Sequence, residues 1–523
     1  MYAQVVVLTY QSPEIDSYTY EIPKSLNVKI GQLVSIPFGK RNPIGVITSI
    51  VDRPSTIVKN IKLITSQVLD QPILLPYQID LLKWMSAYYL APMANCLDAM
   101  LPDIPKKISD QKIAFSKTSQ TLVLVPNIDR IPETLAGFPQ AKNYIVYHNQ
   151  LKASEKFAAW QKILSGNCDF IFGSRSAIFA PCPNLKKIII YDEHDSTYKD
   201  ERSPYFDTLT VAEKIADLTR AKIEIIDSSP RITTLANHPD VKIPKLTVPT
   251  KTIDMTIEKA YGSFSPISQT LEEILKRAAD KKLSTLLFLN KKSESGSVYC
   301  KSCKTQTVVP SQTNACPSCG SPDVYFNSVN VNSLSTQVKK ILPKAQIDIA
   351  TAAAFYKLLP KKYDVAVHIK TDSVLNFPDF ASSEKLYAQI TNLKKLAKKL
   401  VVLQTYNPDH PAIKNAIKSD YQKFYLEEVN QRKTFSYPPF AILIKITVGG
   451  KNAEEKSNQI MSELPNDLTV LGPYQSAGRQ NIILKIPLPN YSLAQRTKTL
   501  EKLKTILPHQ KDIRIIVDPD SLS

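Results

Sequence analysis

Short apolar runs broken by Gly, Pro and Asn open the chain: AQVVVLTY, YTYEI, QLVSIPFG and PIGVITSIV. Runs of this length, rich in Val and Ile and bounded by turn formers, predict strands. PYQIDLLKWMSAYYL follows with apolar residues at helical spacing. Residues 1–102 therefore read as a small β-domain closed by a helix. Residues 103–119, DIPKKISDQKIAFSKTS, are basic, polar and without periodicity, and read as a linker. From residue 120 the pattern changes to buried strands (TLVLVP, NYIVYH, DFIFGS, KKIIIYDE, AKIEIID) alternating with helical segments such as ASEKFAAWQKILS and FDTLTVAEKIADLTR. That alternation predicts a parallel, doubly wound α/β sheet over 120–264. A second α/β stretch, 265–424, carries STLLFLN, AQIDIA, YDVAVHI and KLVVLQTY. The last unit, 425–523, reads β-α-β-β-α-β, the order of a ferredoxin-like α+β sandwich. The fold class is α/β multidomain.

Charge narrows the partners. Lys plus Arg number 66 against 48 Asp plus Glu, a net charge of +18, which favours a polyanion such as nucleic acid. Only 13 of 523 residues are Gly, against a usual ~7%, and backbone that wraps phosphate needs glycine. The scarcity argues against an active ATPase. No apolar run reaches the ~18 residues of a membrane helix, and the opening MYAQVVVLTYQSPEID lacks the pattern of a signal peptide. A cytoplasmic location without membrane contact is expected.

Seven cysteines are an odd number for a disulfide framework. Four form Cys300-x-x-Cys303 and, twelve residues on, Cys316-x-x-Cys319 followed by Gly320. Two such knuckles close a tetrahedron of thiolates around one Zn²⁺, with no open position for catalysis. A structural zinc ion held by an insertion at 300–319 is expected. Cys96, Cys168 and Cys182 have no ligand spacing and read as ordinary thiols.

Several segments, taken in order, carry a family resemblance: VSIPFGKRNPIGVIT (34–48), AYYLAPMANCLDAMLP, LVLVPNI, FGSRSAIF, YDEHDSTYK, CPSCGS, YPPF (437–440), LGP (471–473) and VDP (517–519). In this order they resemble the PriA family of primosomal proteins, which restart stalled replication forks. The resemblance implies a 3′-DNA-end-binding-like first domain, two RecA-like helicase-type lobes with the zinc insertion, and a C-terminal α+β domain. It also exposes departures. Residues 103–119 stand where the family has a winged helix and a phosphate loop, and G-x-x-x-x-G-K-[ST] occurs nowhere in the chain. Without that loop nothing cradles the β- and γ-phosphates or completes a Mg²⁺ shell.

Other parts of the motor are altered as well. Aligned on His194, the family's acidic motif has Tyr191 for its first Asp and Asp192 for the next Glu, while Glu193 remains. A one-residue shift would restore Asp192 as the metal acid, so this motif alone leaves the point open. Asp192, Glu193 and His194 are read as a relic strand-end cluster rather than a Mg²⁺ and water site. The stretch from Asp227 to Thr234, with Ser229-Pro230-Arg231 at its centre, replaces a segment containing S-A-T-P. TAAAFYK replaces T-Q-M-x-x-K-G, and QITNLKKL replaces Q-V-A-G-R-A-G-R. The last change puts Leu393 and Leu396 where two arginines would stabilise γ-phosphate charge. Together these losses predict no helicase activity and no bound ATP.

The resemblance places Tyr18, Thr19 and Gly39 in a pocket for a DNA 3′ end, where an aromatic face stacks and an acceptor meets the hydroxyl. Thr19 replaces a family acid. Trp84 and Tyr88, one helical turn apart, would grip the tail of single-stranded-DNA-binding protein, with Arg479 pairing its terminal carboxylate. As a stripe on a helix they read equally as core. The basic runs, among them LKKLAKK and RTKTLEKLK, read largely as solvated helix faces. The expected function is recognition of branched DNA at a stalled fork and recruitment of the replicative helicase or its loader. The alternatives are a weak ATP-dependent 3′-to-5′ helicase and a zinc-stabilised RNA- or ribosome-binding protein.

Overall fold

The computed structural model describes residues 1–8, 15–53, 60–105, 116–260, 265–290, 296–309, 313–327, 330–375, 379–465, 468–476, 478–507 and 512–522. Of the expected linker, residues 106–115 lie outside this set. The chain forms two compact units: Met1–Ile243 with Gln431–Leu522, and Pro244–Asn430.

In the first unit the N-terminal sheet is antiparallel, with β1 (Tyr2–Val7), β2 (Tyr18–Glu21), β3 (Leu33–Ser35), β4 (Ile44–Val51) and β5 (Ser66–Gln67) in the order β2-β1-β4-β3-β5. One face packs its own cluster of Val5, Tyr20, Val34, Ile36 and Ile47. The other meets helix Pro76–Tyr88, whose first-turn proline is preset for helix entry. The parallel sheet comprises β6 (Gln120–Leu124), β7 (Tyr144–Tyr147), β8 (Phe170–Gly173), β9 (Leu185–Tyr191) and β10 (Lys222–Ile226) in the order β10-β9-β6-β8-β7. With the first strand central, strand order reverses there, and the carboxyl edge is where such sheets place ligands.

β11 (Thr250–Asp254) pairs parallel with a strand near residue 400, so the stretch after Ile243 belongs to the second sheet. The expected lobe boundary at 264 is therefore about twenty residues late, because TKTID is a buried-edge strand too short and polar to stand out. The second sheet continues with β12 (Thr285–Leu289), followed by the cysteine insertion of β13 (Gly296–Cys300), β14 (Gln306–Val309) and β15 (Val324–Asn327). It resumes with β16 (Ile347–Thr351), β17 (Tyr363–His368) and β18 (Ala397–Thr405), giving the parallel order β11-β18-β17-β12-β16. The insertion is a separate antiparallel sheet, β14-β13-β15, and extends beyond the expected 300–319 on both sides.

Back in the first unit, β19 (Ala441–Val448), β20 (Thr469–Ser476), β21 (Arg479–Pro487) and β22 (Ile513–Val517) form an antiparallel sheet ordered β20-β21-β19-β22. Helices Ala453–Glu463 and Leu493–Lys504 connect them in the β-α-β-β-α-β sequence. A single hydrophobic cluster runs through this domain, the parallel sheet of β6–β10 and the helical part of the N-terminal domain. Among the described residues no helix is long and apolar enough to cross a membrane.

Candidate functional site

Four places were marked by the sequence, and the structure treats them differently. The first is the N-terminal sheet. Phe38 and Arg41 exchange backbone hydrogen bonds (Phe38 N to Arg41 O 2.8 Å, Arg41 N to Phe38 O 3.1 Å), closing a two-residue turn. Gly39 sits in it at φ +60°, the left-handed region that glycine enters without penalty. Tyr18 meets Phe38 edge-on at 5.1 Å between centroids, so an aromatic corner stands beside a turn that exposes Lys40 and Arg41. Side chains alternate across a strand, and Thr19 faces away from Tyr18, taking a hydrogen bond from Gln4 Nε2 at 2.9 Å. The structure thus joins Tyr18 to Gly39 through Phe38 and separates Thr19 from both.

The second is the cysteine set. Cys300 ends β13, and the Sγ atoms of Cys300, Cys303, Cys316 and Cys319 all lie within 4.8 Å of one another. Cys300 and Cys319 are 3.6 Å apart, Cys303 and Cys316 3.7 Å. Tetrahedral Zn–S bonds of ~2.3 Å put sulfurs about 3.8 Å apart, so the donor set fits one metal ion. Gly320 at φ +71° makes the knuckle turn. Burial opposes charge on Cys316, but the amides of Ser318 and Cys319 bring its thiol down to about 6, towards the thiolate a metal needs.

The third is the carboxyl edge of β6–β10. Glu193 is 1% exposed. Its Oε1 receives Arg231 Nε and, at 2.5 Å, Thr234 Oγ1; its Oε2 receives the Arg231 amide at 3.1 Å. The Arg231 guanidinium also reaches Asp207, Nη1 to Oδ2 at 2.7 Å and Nη2 to Oδ1 at 3.3 Å. Asp207 in turn caps helix Thr208–Thr219 through the Thr210 amide at 3.0 Å. Burial opposes its charge, yet Arg231 holds its carboxyl well below the ordinary range. Burial pushes Glu193 up, against the pull of Arg231. His194 Nδ1 lies 2.8 Å from Asp227 Oδ2, and the His194 amide donates to the same oxygen at 2.9 Å. Asp192 sits at φ +49° with Oδ2 3.6 Å from Arg130 Nε. Within the second unit, Leu393 and Leu396 are 1% and 0% exposed in helix Ser382–Leu396, where they pack as core.

The fourth is the helix pair Trp84 and Tyr88. The rings do meet, at 4.7 Å between centroids, but they are 6% and 1% exposed. Trp84 Nε1 donates to Thr497 Oγ1 at 3.0 Å, and Tyr88 Oη accepts from Arg496 Nη1 at 2.7 Å. Arg479 stands exposed at the start of β21. The expected partner-tail pocket is therefore corrected: packing of helix Leu493–Lys504 against helix Pro76–Tyr88 closes it, and the arginine at these aromatics is Arg496. Arg496 is 3% exposed, and its Nη2 also pairs with Glu213 at 2.7 Å. Lys394, at 2% exposure, turns inward to the carbonyls of Ala416 (2.5 Å) and Ile417 (2.8 Å). Both residues lie in basic runs read as solvated faces.

Comparison with known proteins bears on the two ends first. Residues 5–102 match the family described as the PriA 3'DNA-binding domain (3'BD). Residues 433–520 match the primosomal protein N C-terminal domain. The Synechocystis replication restart protein PriA is 27% identical over 78% of this chain and 60% of its own length. The chain is a PriA relative. The Bacillus subtilis PriA is likewise 27% identical, over 77% of this chain and 60% of its own length. The Rickettsia conorii PriA aligns over 96% of this chain and 97% of its own at 23% identity. The chain thus spans about 60% of the first two relatives it matches. The aromatic corner, Tyr18 with the Gly39 turn, falls inside the matched 3'BD. Arg231 and Arg496, the residues that organise the first unit, were missed because no local signal separates a buried arginine from an exposed one.

Proposed function

We propose that the chain is a DNA-binding replication-restart protein of the cytoplasm. It recognises branched DNA or a 3′ end at a stalled fork and helps bring in the replicative helicase or its loader, without unwinding DNA itself. The observation that carries this reading is the 3'DNA-binding match at residues 5–102. Its sheet presents an aromatic corner flanked by exposed Lys40 and Arg41, a stacking face beside phosphate-neutralising charge. The four cysteines hold one structural zinc ion in this reading. Single-stranded-DNA-binding protein remains a partner, bound elsewhere than at Trp84 and Tyr88.

Mg²⁺ and ATP, which the family implies, do not fit the residues present. Glu193 is engaged by Arg231 and Thr234, the arginine positions hold core leucines, and the phosphate-loop pattern is missing from the sequence. The lobe of β6–β10 serves as the body that holds the two end domains.

Titration of forks with a 3′-hydroxyl, a 3′-phosphate and no nascent strand, with and without ATP, tests the reading. Expected are salt-sensitive fork binding, no effect of ATP and no strand separation. DNA-stimulated ATP hydrolysis lost in Asp192→Asn or Glu193→Gln would replace it with the helicase reading. Structured RNA outcompeting forks at matched salt would replace it with the RNA-binding one.

A further inference from the structure

We infer that Arg231 is a resident counter-ion at the carboxyl edge of β6–β10, filling with its guanidinium the place a divalent cation would need between Glu193 and Asp207. This rests on the proposed reading of a lobe that turns over no nucleotide, and gives that reading a physical cause.

The geometry is that of a plugged site. A guanidinium offers five donors in a planar fork suited to carboxylates. Here Nε goes to Glu193 and both terminal nitrogens go to Asp207, so one side chain ties acids 14 positions apart in sequence. Thr234 Oγ1 and the Arg231 amide take further lone pairs of Glu193, while the Thr210 amide and hydroxyl, at 3.0 and 3.2 Å, take those of Asp207. Mg²⁺ demands oxygens at ~2.0–2.1 Å in octahedral array and keeps several waters. Both carboxylates are buried, at 1% and 7% exposure, and already facing donors. Charge is also met: Arg231 faces both acids, and Lys199 adds a second positive charge towards Asp207. A dication entering here would meet a buried cation that has no carboxylate left to pair with.

The position of Arg231 in the chain matters. It directly follows Asp227-Ser228-Ser229-Pro230, the loop after β10. That loop is itself fixed by Asp227, which accepts the amides of His194 at 2.9 Å and Ser229 at 2.8 Å. The arginine is thus aimed by a turn anchored to the same strand end that carries Glu193.

The test uses the zinc-loaded full chain and reads melting temperature with millimolar Mn²⁺ or methylguanidinium against Na⁺ at matched ionic strength. The wild type should shift by less than about a degree with either. Arg231→Ala strands two buried carboxylates, so it should melt roughly ten degrees lower and regain at least half of that with either cation. Adding Glu193→Gln and Asp207→Asn to Arg231→Ala should restore melting without added cation and abolish the response; this triple variant decides the matter if Arg231→Ala alone does not fold. The inference is overturned if Mn²⁺ stabilises the wild type and Glu193→Gln removes that effect, if Arg231→Ala responds to neither cation, or if the triple variant melts no higher than Arg231→Ala. Fork binding is not read in this assay, so its failure leaves the proposed function to its own test.

Discussion

Single side chains set what this molecule can and cannot do. Gly39 is open to solvent with nothing within 4 Å of an added Cβ, so its requirement is conformational alone. Gly39→Ala should cost about 1–2 kcal/mol from the left-handed φ, read by denaturant unfolding, while Gly39→Asn should cost less. Lys40→Glu with Arg41→Glu should weaken fork binding and lower the salt slope by about one per lost phosphate contact, read by titration at several salt concentrations. Arg496 stacks on Tyr491 at 4.7 Å besides pairing with Tyr88 and Glu213. Arg496→Met leaves Glu213 short of its buried partner and should destabilise the chain by about 3 kcal/mol, read by urea unfolding. Glu213 also holds His238 at 2.9 Å. Burial alone would lower that imidazole, but Glu213, with Asp240 and Glu193 behind it, raises it above its ordinary value. A folded value above the unfolded ~6.5 gives stability that is full below that pH and lost as pH climbs through the folded value. Melting temperature between pH 6 and 8.5 should therefore fall more steeply in the wild type than in His238→Gln.

At the scale of elements, the cysteine sheet is the part whose fold depends on an ion. Three short strands with few buried side chains cannot supply a core of their own. Metal analysis should find about one zinc per chain, Cys316→Ser should lose it, and chelation should unravel β13–β15 while the parallel sheets keep their circular-dichroism signal. This site was fully legible, because knuckle spacing is a local property of the sequence. The strands of both parallel sheets were legible for a similar reason: runs such as KKIIIY are β-branched and buried on both faces. β11 was not, since TKTID shows no apolar run and its membership comes from pairing with β18, some 150 residues later. Thr19 shows a different limit. Adjacency in sequence suggested a shared pocket with Tyr18, whereas strand pleat sends neighbours to opposite faces. Trp84 and Tyr88 were correctly seen as sharing a helix face, but only tertiary packing decides whether such a face meets solvent or another helix.

At the scale of the whole molecule, three pieces of the first unit are joined by polar contacts as well as by the shared core. Trp160 donates to the Ile73 carbonyl at 3.1 Å, Gln78 to that of Phe179 at 2.8 Å, and Lys504 to Asp16 at 2.9 Å. That unit is assembled from two stretches of chain, with residues 244–430 folded as a body of their own between them. A nascent polypeptide released from the ribosome up to Asn430 would have Tyr88 and Glu213 in place but no guanidinium to receive. The N-terminal half must therefore wait, partly uncovered, until synthesis is nearly done. Chains interrupted anywhere before residue 496 should be poor in soluble yield and prone to proteases, and supplying residues 431–523 in trans should rescue them.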